Sequence, residues 1–276
     1  MNTIANLSFP SHANAFDRGL SLEAVRARAP AVFADSALEG LSSRYTFIPT
    51  SRVLTGLMDA GFVPVEARQT CTRSASPLHA RHVIRLRRRF ETVSLEEGGA
   101  IPEVIFLNSH DGGSSYIARI GIFRVVCCNG LIASRGAFPA YCVPHRGNVV
   151  DAVIAAALQA SEQFERLAAQ VECMERRLML KDEQLRFAEA ALALRYPDRT
   201  QSGMQPSQLL TCRRAEDLGE NLWVLLNRVQ EHLCVGGLSR RSTNGRLVRT
   251  RRLTSIKRDV QLNGKLWDLA TEVLAA

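Results

Sequence analysis

"IFLNSHDGGSSYIARIGIFRVVCCNGLI", Ile105 to Ile132, sets a polar knot between two apolar runs. The runs are rich in β-branched and aromatic residues, which favour pleated, half-buried strands. The knot, Asn108 to Gly113, can be read as a catalytic cluster, a phosphate cradle or a turn. The turn is favoured: Asn, Ser and Asp bond to nearby backbone, and Gly112-Gly113 supplies positive φ without steric cost. Asn129-Gly130 is a second hairpin signal. The stretch therefore predicts antiparallel strands joined by tight turns.

Upstream, "RHVIRLRRRF" (Arg81 to Phe90) has a period of two. Arg81, Val83, Arg85, Arg87 and Arg89 share one face, with His82, Ile84, Leu86, Arg88 and Phe90 on the other, as in a half-solvated strand. Before it, "FVPVEARQT" reads as a strand, and Pro64 argues for an edge position because proline cannot donate to a ladder. Thr50 or Ser51 caps a short helix that Gly61 ends. "AYCV" adds a strand before Pro144. The sum is an antiparallel meander of about five strands from Phe62 to Val143.

Beyond it the period changes. Apolar residues from Val150 to Leu178 recur at helical spacing, predicting one amphipathic helix of about eight turns. A second helix runs from near Asp182 to Tyr196. A third, "LGENLWVLLNRVQEHL", ends at Gly236-Gly237, and a fourth passes through Leu266, Trp267, Leu269 and Val273. Trp223 and Trp267 read as core. The fold class is α+β: a meander sheet, then helices. Residues 1–43 read as a loosely ordered N-terminal segment. Residues 44–276 read as a single domain, with sheet part 62–143 and helical part 148–276.

The chain has 276 residues, ordinary globular composition (46% hydrophobic, 22% charged) and a net charge of +8. The composition argues against wholesale disorder, and the basic excess favours polyanionic partners, nucleic acid before an anionic membrane surface. No apolar run reaches bilayer length and the N-terminus lacks a signal-peptide pattern, so a cytosolic location and no membrane association are expected. Seven cysteines with no C-x-x-C pair fit reduced thiols, most of them read as small buried hydrophobes.

"RYTFIPT", "RHVIRLRRR", "NSHDG", "FRVVCCNGL", "NRVQEHLCVGGL" and "LNGKLWDLA", in that order between about Arg44 and Leu274, resemble a phage- and plasmid-borne family catalogued as domain of unknown function 932. The resemblance implies a bacterial or phage protein carried on mobile elements, and neighbouring DNA-handling genes tilt the expectation towards DNA. It transfers no catalytic residue.

Three chemistries compete. A metal-assisted hydrolase would use His110 as base or ligand, Asp111 to orient it, and His145 with Cys142 as further ligands. No Walker loop, nucleophile elbow or paired-histidine metal motif supports it, so the sequence favours a binding protein over an enzyme, with no cofactor. "VPHRGN", where the sheet hands over to the long helix, reads first as an ordinary cap with a solvated arginine and second as a phosphate contact through His145 and Arg146. The sharper case is arginine. Ser239 to Asp259 holds Arg240, Arg241, Arg246, Arg249, Arg251, Arg252, Lys257 and Arg258 among Ser, Thr, Asn and Gly, all good phosphate donors. With Arg81, Arg85, Arg87 and Arg89 they predict a non-specific nucleic-acid surface, single-stranded DNA preferred, for annealing or protection. The alternative is a counter-defence protein docking on a host nuclease or other host protein, its long helix mediating homo-oligomer assembly.

Overall fold

The computed structural model describes residues 19–71, 76–88, 100–124, 130–132, 140–145, 149–197, 203–213, 215–242 and 244–276. Arg89 and Arg146 lie outside them, as do Cys127 and Cys128.

Strands β1 (Phe62–Gln69), β2 (His82–Arg88), β3 (Ala100–Asn108) and β4 (Tyr116–Arg124) form an antiparallel meander in that order. The short strands β5 (Gly130–Ile132) and β6 (Tyr141–Val143) both pair with β4, at different stretches of it. β1 is an edge strand, as Pro64 requires, and the register shifts between Pro64 and Glu66.

The sheet buries both faces. Ile84, Leu86, Val104, Phe106, Tyr116, Ala118 and Ile120 enter the main core, while Val83, Ile105 and Leu107 pack on Ile256 and Val260. Those two residues open the last helix, α7 (Ile256–Ala275), capped by the Ser255 side chain. Burial of each large aliphatic side chain contributes about 1.5–3 kcal/mol, so the second face is a real packing layer.

Helix α1 (Leu22–Arg28) and the following 3-10 turn put Val25, Ala29 and Val32 into the main core and bury Ala31 beside them, so the expected loose segment contains ordered, buried residues. Helix α2 (Thr50–Asp59) packs on α3 (Val149–Ser161) through Gly56; a Cβ there would stand 2.8 Å from Ile154 Cδ1. The long amphipathic helix is present as α3 and α4 (Phe164–Arg176), with a bend at Glu162–Gln163. Helix α5 (Lys181–Arg195) follows, and α6 (Leu222–Val235) is buried along nearly its whole length. Trp223 and Trp267 meet edge to face at 6.5 Å in the core, and Gln230 donates to Asn263 Oδ1 (2.9 Å) between α6 and α7. The expected basic loop is partly a two-stranded ribbon, β7 (Ser239–Arg241) and β8 (Leu247–Arg249). Most cysteines are not buried as expected: Cys71, Cys142, Cys173 and Cys212 are exposed, and Cys234 is buried. No helix among the described residues is long and apolar enough to cross a membrane.

Candidate functional site

The polar knot closes as a turn, and its centre faces inward. Asp111 accepts from Ser109 Oγ (2.6 Å) and Gly113 N (2.8 Å), while Gly112 takes φ +74°. Burial works to raise the Asp111 pKa, but these hydrogen bonds and the charge of Arg81 outweigh it and hold the carboxyl below its usual range. Asp111 therefore builds the turn rather than orienting His110.

His110 is fully buried and joins a network drawn from α2, β2, β3 and the segment after β6. Thr50 Oγ1 lies 2.9 Å from His82 Nε2, 3.1 Å from His110 Nε2 and 2.9 Å from Asn108 Nδ2; Asn108 Oδ1 lies 2.9 Å from His145 Nε2. The protons follow by elimination. His82 Nδ1 faces the Ala80 carbonyl (2.9 Å) and must carry hydrogen, so its Nε2 accepts from the Thr50 hydroxyl. That hydroxyl has one hydrogen, so with the ring neutral His110 Nε2 donates to it. His145 donates from Nε2 to Asn108 Oδ1 (2.9 Å).

Burial favours the neutral form of all three rings. Burial pushes His82 down to about 4, and burial with repulsion from His82, His145 and His79 pushes His110 down to about 3. His145 is lowered by burial, partly opposed by the backbone of Thr46 and Ser114. Tyr45 stacks on His145 at 4.6 Å, and its hydroxyl is raised to about 12 by burial first and Asp111 second. The metal reading loses its geometry: Cys142 is exposed on β6, and the Nε2 atoms of His110 and His145 already serve Thr50 and Asn108. No group of three His, Cys, Asp or Glu suited to a metal occurs among the described residues.

The strand arginines depart from expectation. Cross-strand register sets Glu66 opposite Arg85. Arg85 Nε donates to buried Glu103 (2.6 Å), its Nη1 to Glu66, and Arg87 Nη2 to Glu103 (3.0 Å). Burial works against the Arg85 charge, yet Glu103 and Glu66 hold its pKa above the usual value. Arg68 pairs with Asp259 of α7, closing the same face. Arg81 donates to the Gly113 carbonyl (2.8 Å). The solvent-facing arginine ladder is therefore replaced, at Arg85 and Arg87, by a neutralised inter-strand cluster.

The C-terminal cations are arranged differently. Arg241, Arg246, Arg249, Arg251, Arg252, Lys257 and Arg258 are exposed, and Arg240 is half-buried on the ribbon. None of the seven exposed cations forms an ion pair among the described residues. Beside them a cavity of about 300 Å³ is lined by Arg195, Tyr196, Arg258, Gln261 and Lys265, with Leu194, Leu253 and Leu262. Arg258, Gln261, Leu262 and Lys265 share one face of α7 by helical spacing. Arg195 reaches in from the end of α5, donating to the Arg251 carbonyl (2.8 Å) with its Nη1 unpartnered. Sequence reading missed Arg195 and Lys265. The spacing of Arg258 and Lys265 was visible, but the approach of α5 was not.

A model of the family described as domain of unknown function (DUF932) matches residues 37–267. The chain belongs to this family. It is 39% identical over 259 residues to UPF0380 protein YfjQ of Escherichia coli (strain K12), covering 94% of this chain and 93% of that protein. UPF0380 protein YafZ of the same strain matches to the same extent, also at 39% identity. No solved structure matches.

Proposed function

We propose that this family member binds nucleic acid without strong sequence preference, single-stranded DNA foremost, through the ribbon, the Arg251–Arg252 link and the first two turns of α7. One observation carries the reading: Arg195, Arg258 and Lys265 converge with Tyr196 on a cavity adjoining Arg249, Arg251 and Arg252, which form no ion pair among the described residues. Guanidinium forks suit phosphate oxygens, and an aromatic ring beside them offers a platform for a base. The affinity would come from counterion release and fall steeply with salt. A part in annealing or protecting DNA on a mobile element is an extension of the same reading, placing the protein in a bacterial cytosol. Arg85 and Arg87 of β2 are left out of it, since their charge is spent on Glu66 and Glu103.

Fluorescence polarization of a labelled oligodeoxynucleotide across a salt series tests it. Binding that weakens linearly in log–log form supports the proposal; absence of binding at low salt removes it. A second reading, a docking partner for a host protein, is favoured by the exposed Leu178 and Leu180 at the α4–α5 junction, 68% and 74% accessible. Its mark would be a stable complex that Leu178→Ser and Leu180→Ser disrupt while DNA affinity stays unchanged.

A further inference from the structure

A second cavity, of about 370 Å³, opens between the segment before α2, the turn after β3 and the residues following β6. Arg44 and Ser42 stand on one side, Ser114 and Ser115 on another, and His145 is part of the wall. We propose that this cavity binds a small phosphate monoester, such as a nucleoside or sugar monophosphate, independently of the C-terminal surface.

The donor set argues for a phosphate. Arg44 is exposed and makes no ion pair among the described residues. Ser42 Oγ accepts from the Arg44 backbone (3.3 Å), which leaves its own hydrogen free to donate outward. Ser115 has no side-chain hydrogen bond among the described residues, and Ser114 Oγ turns to the Ser115 carbonyl (2.9 Å), from which it can rotate. A guanidinium fork plus several hydroxyls exceeds what a planar carboxylate can use but matches the oxygens of a phosphate. The nearby acid, Asp111, accepts from Ser109 and Gly113 and is not among the residues lining the cavity, whose wall carries Arg44 as its charged side chain.

The neighbouring wall is stiff for a stated reason. His145 is only 6% exposed, is clasped between the Tyr45 and Tyr116 rings at 4.6 and 4.4 Å, and is anchored through Asn108 to Thr50, His82 and His110. A buried network of linked hydrogen bonds fixes geometry at the cost of desolvating five side chains. Such a network beside an open cationic cavity gives a ligand a pre-formed wall, which lowers the ordering cost of binding. The volume leaves room beyond one phosphate group for the sugar or base it is attached to.

Calorimetric titration of the full chain with adenosine 5′-monophosphate and ribose 5-phosphate, against adenosine, ribose and succinate, tests the inference. Both phosphates should bind, with the uncharged compounds and the dicarboxylate at least about tenfold weaker, the scale of a lost charge-assisted hydrogen bond. Arg44→Ala, at an exposed and unpaired position, should weaken both by a similar factor. The triple variant Arg249→Ala, Arg251→Ala, Arg252→Ala should leave both unchanged, which separates this site from the nucleic-acid surface. Absence of phosphate binding, succinate binding as well as the phosphates, or a loss in the triple variant but not in Arg44→Ala would each overturn the proposal.

Discussion

Acid should unfold this protein from its centre. His82 and His110 are both fully buried, and burial disfavours their charged form. In the unfolded chain each titrates near 6.5, whereas in the folded chain burial lowers them to about 4 and about 3. With the folded pKa below the unfolded one, the unfolded state takes up protons first as pH falls. Stability is therefore intact above about pH 7 and declines from about 6.5 towards the folded values. Between neutrality and pH 5, each histidine should remove about 2 kcal/mol, from about 1.4 kcal/mol per pH unit over the window. Neither is protonated in the folded state in this range, so the two losses add to about 4 kcal/mol, a large part of a typical 5–15 kcal/mol total. His145 and His232 are shifted the same way and steepen the decline. Urea unfolding at pH 7.5, 6.5, 5.75 and 5.0 measures it. Replacing His110 by Gln, whose amide can still donate to Thr50 but cannot titrate, should lower the loss by about 2 kcal/mol. A flat profile from pH 7.5 to 5.0, or a decline untouched in both His82→Gln and His110→Gln, would refute the reasoning.

Further perturbations act elsewhere. Glu103→Ala should cost about 1.5–3 kcal/mol in urea unfolding, because Arg85 and Arg87 both lose a buried charged acceptor while Arg85 keeps Glu66, and the pair Glu103→Leu with Arg87→Met should recover part of it. The triple change of Arg249, Arg251 and Arg252 to Ala should reduce the log–log salt slope for single-stranded DNA by about 2, at about 0.7 per phosphate contact, with the unfolding midpoint nearly unchanged. Gly236→Ala should destabilise by more than about 1 kcal/mol, since φ is +77° and a Cβ would stand 2.7 Å from the Thr250 carbonyl oxygen. Thermal melts would register that loss.

The local elements were largely legible because their signals are local. Alternation in His82–Arg88, the Asn108–Gly113 turn and Pro64 at an edge each follow from backbone constraints on a few residues. The ribbon β7–β8 was legible too but passed over: Asn244-Gly245 sits at its tip, Gly245 at φ +74°, and is the same dipeptide signal read at Asn129-Gly130. The bend at Glu162–Gln163 carries no proline or glycine; there the Ser161 hydroxyl donates to the Leu158 carbonyl (2.7 Å) and Gln163 N bonds to Ala160 O (3.2 Å), breaking the regular helical ladder. The arginine strand was misread for a different reason. Its periodicity is right, but neutralisation depends on register, which sets Glu66 opposite Arg85, and on α7 returning from the far end of the chain to cover that face with Ile256, Asp259 and Val260. Likewise His82, His110 and His145 come from three separate segments, and only the folded sheet brings them to Thr50 and Asn108.

The central claim is that the exposed cations after β7, and not those of β2, meet the phosphate backbone. Hydrogen–deuterium exchange of the full chain with and without an oligothymidylate at low salt tests it most directly. The account requires slowed exchange across 239–258 and around Arg195–Tyr196, with β2 unchanged. Slowed exchange confined to β2 and its neighbours, or no change anywhere under binding conditions, would contradict it.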